Sequence, residues 1–254
     1  MRWLVDGNAE FVALATLAEG RHVVPIDLAD LGLAAPGQVV DQHPFAVVVG
    51  CSDARVPTEL VFNRRCDELF VVRVAGNVLG PEQLGSVDYA IGHLGDSLKL
   101  IVVLGHSQCG AVTAAVDMFI TPVEYLELSS SHQIRSIVNA LFPAVRGAAR
   151  SLAVRWGEDV TSRPAYRAAL IETAVAINAA LMASILRENF AVAGADLRAV
   201  FGVYDLASRR VHVPSAAAAG EPAVLLEAPT GQEEFRAMAL RIVESDVVRT
   251  LLGV

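Results

Sequence analysis

Two kinds of hydrophobic pattern alternate along this chain. Runs of β-branched and apolar residues at 45–49, 69–74, 99–104 and 197–204 show little alternation with polar positions, as strands buried on both faces do. Elsewhere apolar residues recur at helical spacing: Leu84, Val87, Ile91 and Leu94 over 84–94, then 111–118, then Ile134, Ile137, Val138 and Leu141, and finally the longest pattern over 165–189. Pro57 suits the first turn of a short helix over 57–63. Strands alternating with helices predict βαβ units, hence a parallel sheet built by right-handed crossovers. A strand at 211–213 is expected to pair with 197–204 through a turn at Ala207 and Ser208.

At the amino end, Asn8 is expected to cap a helix with Glu10 in its first turn, Phe11, Leu14 and Leu17 on one face and Gly20 as its stop, packed on another subunit. Residues 22–40, rich in Pro, Gly and Asp, form a long connection, and 124–131 reads as a polar loop with Ser131 as the cap of the next helix. The expected organisation is a domain over 1–214, including the amino-terminal helical arm, followed by a linker and amphipathic tail over 215–254. In that tail the Ala-rich stretch 215–222 is the linker, and Thr230 with Glu233 forms a capping box ahead of Phe235, Met238, Ile242 and Val243. The fold class is α/β: a parallel-cored β-sheet flanked by helices, with an appended C-terminal helical tail.

Composition narrows the classes. The chain has 254 residues, 54% of them hydrophobic, with a mean hydropathy of +0.46. That is more apolar surface than one compact monomer hides and predicts a large subunit interface. A net charge of −8, with Lys99 the only lysine and the arginines scattered in runs no longer than two, lacks the clustered cations that nucleic acid requires. The longest apolar stretch, 168–186, is interrupted by Glu172 and Asn178 and flanked by Arg167 and Arg187, which suits a buried helix rather than a membrane span. The opening segment already carries Arg2, Asp6 and Glu10, unlike a secretory leader, so a cytoplasmic location is expected. Three cysteines in such a chain favour metal ligation over a disulfide framework.

The chemistry concentrates in two motifs. Gly50-Cys51-Ser52-Asp53-Ala54-Arg55-Val56-Pro57 follows the first predicted strand, and Gly105-His106-Ser107-Gln108-Cys109-Gly110 follows the third. Both therefore lie at the carboxyl rim of one parallel sheet, where open α/β folds bind ligands. Cys51, His106 and Cys109 supply the three protein ligands typical of a catalytic zinc site, and the paired C-x-x-C knuckles of a closed structural site are missing. Cys109 opens a helix, where backbone N–H groups lower a thiol pKa and favour the thiolate. Asp53 and Arg55, two residues apart, can form a bidentate pair that keeps the carboxylate ionised and acceptor-only beside the metal. Asp53 could instead leave Arg55 and fill the fourth metal position, closing the site.

Taken together, C-S-D-A-R-V-P at 51–57, F-V-V-R-V-A-G-N at 70–77 and G-H-S-Q-C-G-A-V at 105–112 resemble the β-class carbonic anhydrases, over roughly 8–213. The resemblance implies the β-carbonic anhydrase fold, Zn2+ on Cys51, His106 and Cys109, Asp53 with Arg55 as the catalytic dyad, and a homodimer or a larger assembly of dimers. It implies reversible hydration of CO2 to bicarbonate and a proton through zinc-hydroxide attack. In the plant-type branch a glutamine before the first strand binds substrate, and Gln42 stands at the matching place; Phe70, Ala75 and Tyr89 stand where that branch lines the CO2 pocket and the dimer interface. Gly110 would add a backbone N–H toward a CO2 oxygen, and an open site is expected. Arg64-Arg65-Cys66-Asp67-Glu68 and Gly95-Asp96 depart from the family pattern, in loops away from the ligands.

Other readings attach to the same residues. The site could hydrolyse carbonyl sulfide or carbon disulfide, linear electrophiles like CO2, or be a non-catalytic zinc protein closed by Asp53; Arg55 and Gln42 would then have no use. Cys66 reads as a small packing residue. His22, His93, His132 and His212 read as ordinary histidines, and His43 is a candidate proton shuttle only by adjoining Gln42.

Overall fold

The computed structural model describes residues 1–16, 37, 39–123, 132–191, 197–215 and 223–254. The expectations for Leu17, Gly20, Ser131 and the segments 22–36, 124–131 and 216–222 fall outside the described residues. Four parallel strands form the centre of the sheet: β1 (Ala46–Gly50), β2 (Leu69–Arg73), β3 (Leu100–His106) and β4 (Arg198–Tyr204). Their order is β2-β1-β3-β4, with β5 (Val211–His212) and β6 (Leu226–Glu227) both antiparallel to β4.

Side-chain alternation distributes the strands between two layers. Val47, Val49, Ile101, Val103, Phe201 and Val203 face the larger core. Ala46, Val48, Leu100, Val102, Leu104 and Val200 face the smaller. Every residue of β1 and β3 is buried, which is why their sequences are apolar without interruption. The larger core lies under α3 (Pro81–Leu94), α4 (Gly110–Ile120), α5 (His132–Trp156) and α6 (Tyr166–Ala191). α6 is long and apolar enough to cross a membrane, but its apolar window is 78% buried inside the protein, packed on α5, β3 and β4. Its hydrophobicity serves the core, as the sequence suggested.

The smaller core is covered by α1 (Arg2–Thr16) and α2 (Thr58–Val61). Here one expectation fails. Asn8 is not a cap; it lies within α1, buried, because its side chain is fully used elsewhere. Its amide donates to the carbonyls of Val61 (2.9 Å) and Arg209 (3.1 Å), and its Oδ1 accepts the Val211 N–H (2.8 Å). The helix approaches α2 so closely at Gly7 that a Cβ there would meet the Phe62 carbonyl oxygen at 1.8 Å. α1 is thus seated on its own chain.

Residues 223–254 add β6, α7 (Gln232–Val243) and α8 (Asp246–Leu252). Met238, Ala239, Ile242, Val243, Val248 and Leu252 belong to the larger core, packed on α5 and α6. The start of α7 also differs from the expected capping box. Gly231 precedes the helix, and Glu234, not Glu233, accepts the Thr230 N–H at 2.7 Å.

Candidate metal centre

β1 and β3 are adjacent and parallel, so the loops after them emerge side by side. Cys51 follows β1, His106 ends β3, and Cys109 precedes α4, all three buried. Their ligand atoms lie within 4.8 Å of one another, the one such group among the described residues. The sulfurs of Cys51 and Cys109 are 3.9 Å apart. Two thiolates about 2.3 Å from a tetrahedral zinc would stand about 3.8 Å apart. His106 Nδ1 is 3.0 Å from the Ser107 carbonyl, which requires the proton on Nδ1 and leaves the Nε2 lone pair free. That Nε2 is buried without a hydrogen-bond partner. Such an atom costs the fold about 1–3 kcal/mol unless something binds it. The spacing, the tautomer and the soft donor set all fit zinc.

Electrostatics points the same way. A hydrogen bond from Cys109 draws the Cys51 thiol down, helped by His106 and the N–H groups of Gly76 and Asp53 against the opposing effect of burial. The same bond and burial push Cys109 upward. Two thiols so close share one proton, which a divalent cation would displace. Burial lowers His106, but the Cys51 thiolate outweighs it and the net direction is up.

Asp53 stands beside this group, its Oδ2 3.9 Å from His106 Nε2. Arg55 donates from Nε to Oδ1 at 2.9 Å and from Nη2 to Oδ2 at 2.7 Å, and its backbone N–H also meets Oδ1 at 2.9 Å. These bonds hold the carboxyl well below the usual carboxylate range.

The remaining candidates divide. Gly110 is the first residue of α4, next to Cys109, and Ala75 adjoins Gly76, whose N–H donates to Cys51 Sγ at 3.3 Å. Phe70 lies on β2 opposite Val47, near the start of β1. Gln42 and Tyr89 are at the amino end of β1, where they line a cavity of about 490 Å³ with His43, His93 and Asp96. Within one chain they do not join the Cys51 group. His43 is in that distant cavity too, its N–H held by the Asp67 carboxylate at 3.0 and 3.1 Å.

Several contributors escaped the sequence reading. Arg73 donates to the carbonyls of Cys51 and Asp53, fixing the loop that carries the aspartate. Its signal was a cation at the end of an apolar strand. Glu172 accepts the Gln108 N–H at 3.0 Å, and Asn178 donates to the Gly76 carbonyl at 2.9 Å. Both interrupt the apolar run of α6.

Comparison with known proteins agrees with this architecture. The carbonic anhydrase family profile matches residues 46–211, more than half of the chain, and the chain belongs to that family. Carbonic anhydrase 2 of Mycobacterium tuberculosis is 44% identical over 115 residues, covering 44% of this chain and 49% of that protein. The carbonic anhydrase of Mycolicibacterium smegmatis is 38% identical over 143 residues, covering 56% of this chain and 61% of its own. The matched stretch therefore spans about half to three fifths of the length of these relatives. Among solved structures, the β-carbonic anhydrase CcaA has the same fold at a TM-score of 0.50 and 23% identity, covering 72% of this chain and 84% of that one. A Coccomyxa β-carbonic anhydrase does so at 0.50 and 20%, covering 82% and 83%. The fold is the β-class one.

Proposed function

We propose that this protein catalyses the reversible hydration of CO2 to bicarbonate and a proton, with zinc on Cys51, His106 and Cys109. The observation that carries the proposal is the bidentate Asp53–Arg55 pair set 3.9 Å from the buried, unpartnered Nε2 of His106. A structural zinc site has no use for such a pair. Zinc held there supplies a water nucleophile ionised near neutral pH. Arg55 keeps Asp53 ionised, so Oδ2 can only accept a hydrogen bond; it takes one from the attacking water and turns a lone pair toward the electrophile. Both Asp53 oxygens are occupied by Arg55, which supports a site that Asp53 leaves open. In this reading Ala75, beside Gly76, would supply apolar wall, and the backbone N–H of Gly110, next to Cys109, would meet an oxygen of CO2.

The same reading makes the protein a homodimer or an assembly of dimers. Gln42, Phe70 and Tyr89 can serve substrate only in a site brought by a second copy, since β1 separates Gln42 from the metal group of its own chain by about 17 Å. Exposed Val39, Val40 and Tyr89 at that end supply apolar surface for such an interface. The test is CO2 hydration by the zinc-loaded protein beside Cys109→Ser, which weakens one ligand. Wild type is expected to hydrate CO2 and the variant to lose both zinc and activity; zinc-loaded wild type without hydration would refute the proposal.

A further inference from the structure

Glu172 and Asn178 approach the metal group from behind, on one helix. Asn178 is fully buried, and its Nδ2 donates to the Gly76 carbonyl at 2.9 Å. Gly76 in turn donates its N–H to Cys51 Sγ at 3.3 Å. Its backbone is left-handed (φ 70°), and a Cβ would come within 3.1 Å of both Ala111 and Leu141, so this turn is available only to glycine. Glu172 Oε1 accepts the N–H of Gln108, which directly precedes Cys109 and follows His106 by two residues. Gln108 also holds a left-handed backbone (φ 55°), without the freedom of glycine, and therefore needs an external tether.

We propose that Glu172 and Asn178 are positioning residues that hold the two metal-binding loops in register on the rigid body of α6, an inference that rests on the zinc reading above. Asn178 acts through Gly76 on Cys51; Glu172 acts through Gln108 on His106 and Cys109. Their presence is costly to the core. The Asn178 Oδ1 has no hydrogen-bond partner, and burial pushes the Glu172 carboxyl upward. An apolar residue at 178 would suit the core better, so the bond to the Gly76 carbonyl accounts for the asparagine; at 172, which is half-buried, the bond to the Gln108 N–H accounts for a carboxylate in an otherwise apolar run. Glu172 needs only an acceptor oxygen, which glutamine also offers.

The experiment compares wild type, Asn178→Leu, Glu172→Ala and Glu172→Gln by zinc affinity in competition with a chelator, and by the thiolate-to-metal charge-transfer band of the cobalt-substituted proteins. Asn178→Leu and Glu172→Ala are expected to bind zinc about 10- to 100-fold more weakly, with a shifted or weakened cobalt band, and Glu172→Gln to stay within about threefold of wild type. Affinities of the first two within about twofold of wild type and unchanged bands would overturn the assignment. So would a Glu172→Gln loss equal to that of Glu172→Ala. If Asn178→Leu does not fold, the two Glu172 variants decide the question. Wild type that takes up no zinc would overturn this inference together with the zinc reading. Tight zinc binding without CO2 hydration would refute the activity alone, and the affinities would still decide these roles.

Discussion

Arg55 engages both oxygens of Asp53, and the charge of that carboxylate follows from this contact. A carboxyl whose folded pKa is depressed contributes stability that is present above its unfolded value, about 3.9, and lost as pH falls toward the folded one. In the metal-free protein, wild type should therefore be more stable than Asp53→Asn above about pH 5, and the difference should shrink steadily below about pH 4. Urea unfolding of both proteins across that range measures it, and a difference independent of pH would contradict the pairing. The same residue scale explains what was legible. Cys51, Asp53, Arg55, His106 and Cys109 could be placed together from sequence because two short motifs end adjacent strands. Gln42 was legible as a residue ahead of β1, the end of that strand opposite Cys51, whereas nothing in the spacing of Tyr89 shows that it joins Gln42 around one cavity there. Arg73 was legible only as a cation at the end of an apolar strand, because its targets are the backbone carbonyls of Cys51 and Asp53, which no residue type advertises.

At the scale of elements, β1 and β3 were readable because burial on both faces removes polar residues from a strand. β6 was not readable; two residues are too few for a period, and its pairing with β4 depends on a distant part of the chain. α1 was misread at Asn8, where a residue typical of caps proved to be a buried clamp on α2 and β5. Asn8→Ala would leave two carbonyls and the Val211 N–H unpaired. The expected loss is about 3 kcal/mol in denaturant unfolding, although alanine is the better helix former. A loss no larger than that of an exposed substitution on the same helix, such as Ala9→Gln, would show that the clamp contributes little.

At the scale of the whole molecule, residues 223–254 close the larger core. Trp156 Nε1 donates to the Val243 carbonyl at 3.1 Å, Arg163 to that of Leu252 at 2.8 Å and Arg187 to that of Ala228 at 2.9 Å, and Arg155 pairs with Glu244. The helical period of the tail was legible, but its partner was not, because an amphipathic face does not name the surface that covers it. Ile242 is 1% exposed, and Ile242→Ala should lower the stability of the entire protein by about 3 kcal/mol in a single unfolding transition. A separate early transition for the tail, with the rest unaffected, would mean that it folds as an independent unit.

The three scales meet at a sheet rim that gathers Cys51, His106 and Cys109, with a carboxylate kept ionised by its arginine beside them. Stopped-flow CO2 hydration by zinc-loaded wild type and Asp53→Ala, from about pH 6.5 to about pH 9, tests this arrangement most directly. Wild type is expected to hydrate CO2 throughout that range and the variant to lose about 100-fold or more in kcat/KM, with zinc content unchanged. Equal rates for the two proteins, or zinc-loaded wild type that hydrates no CO2 at any of these pH values, would contradict it.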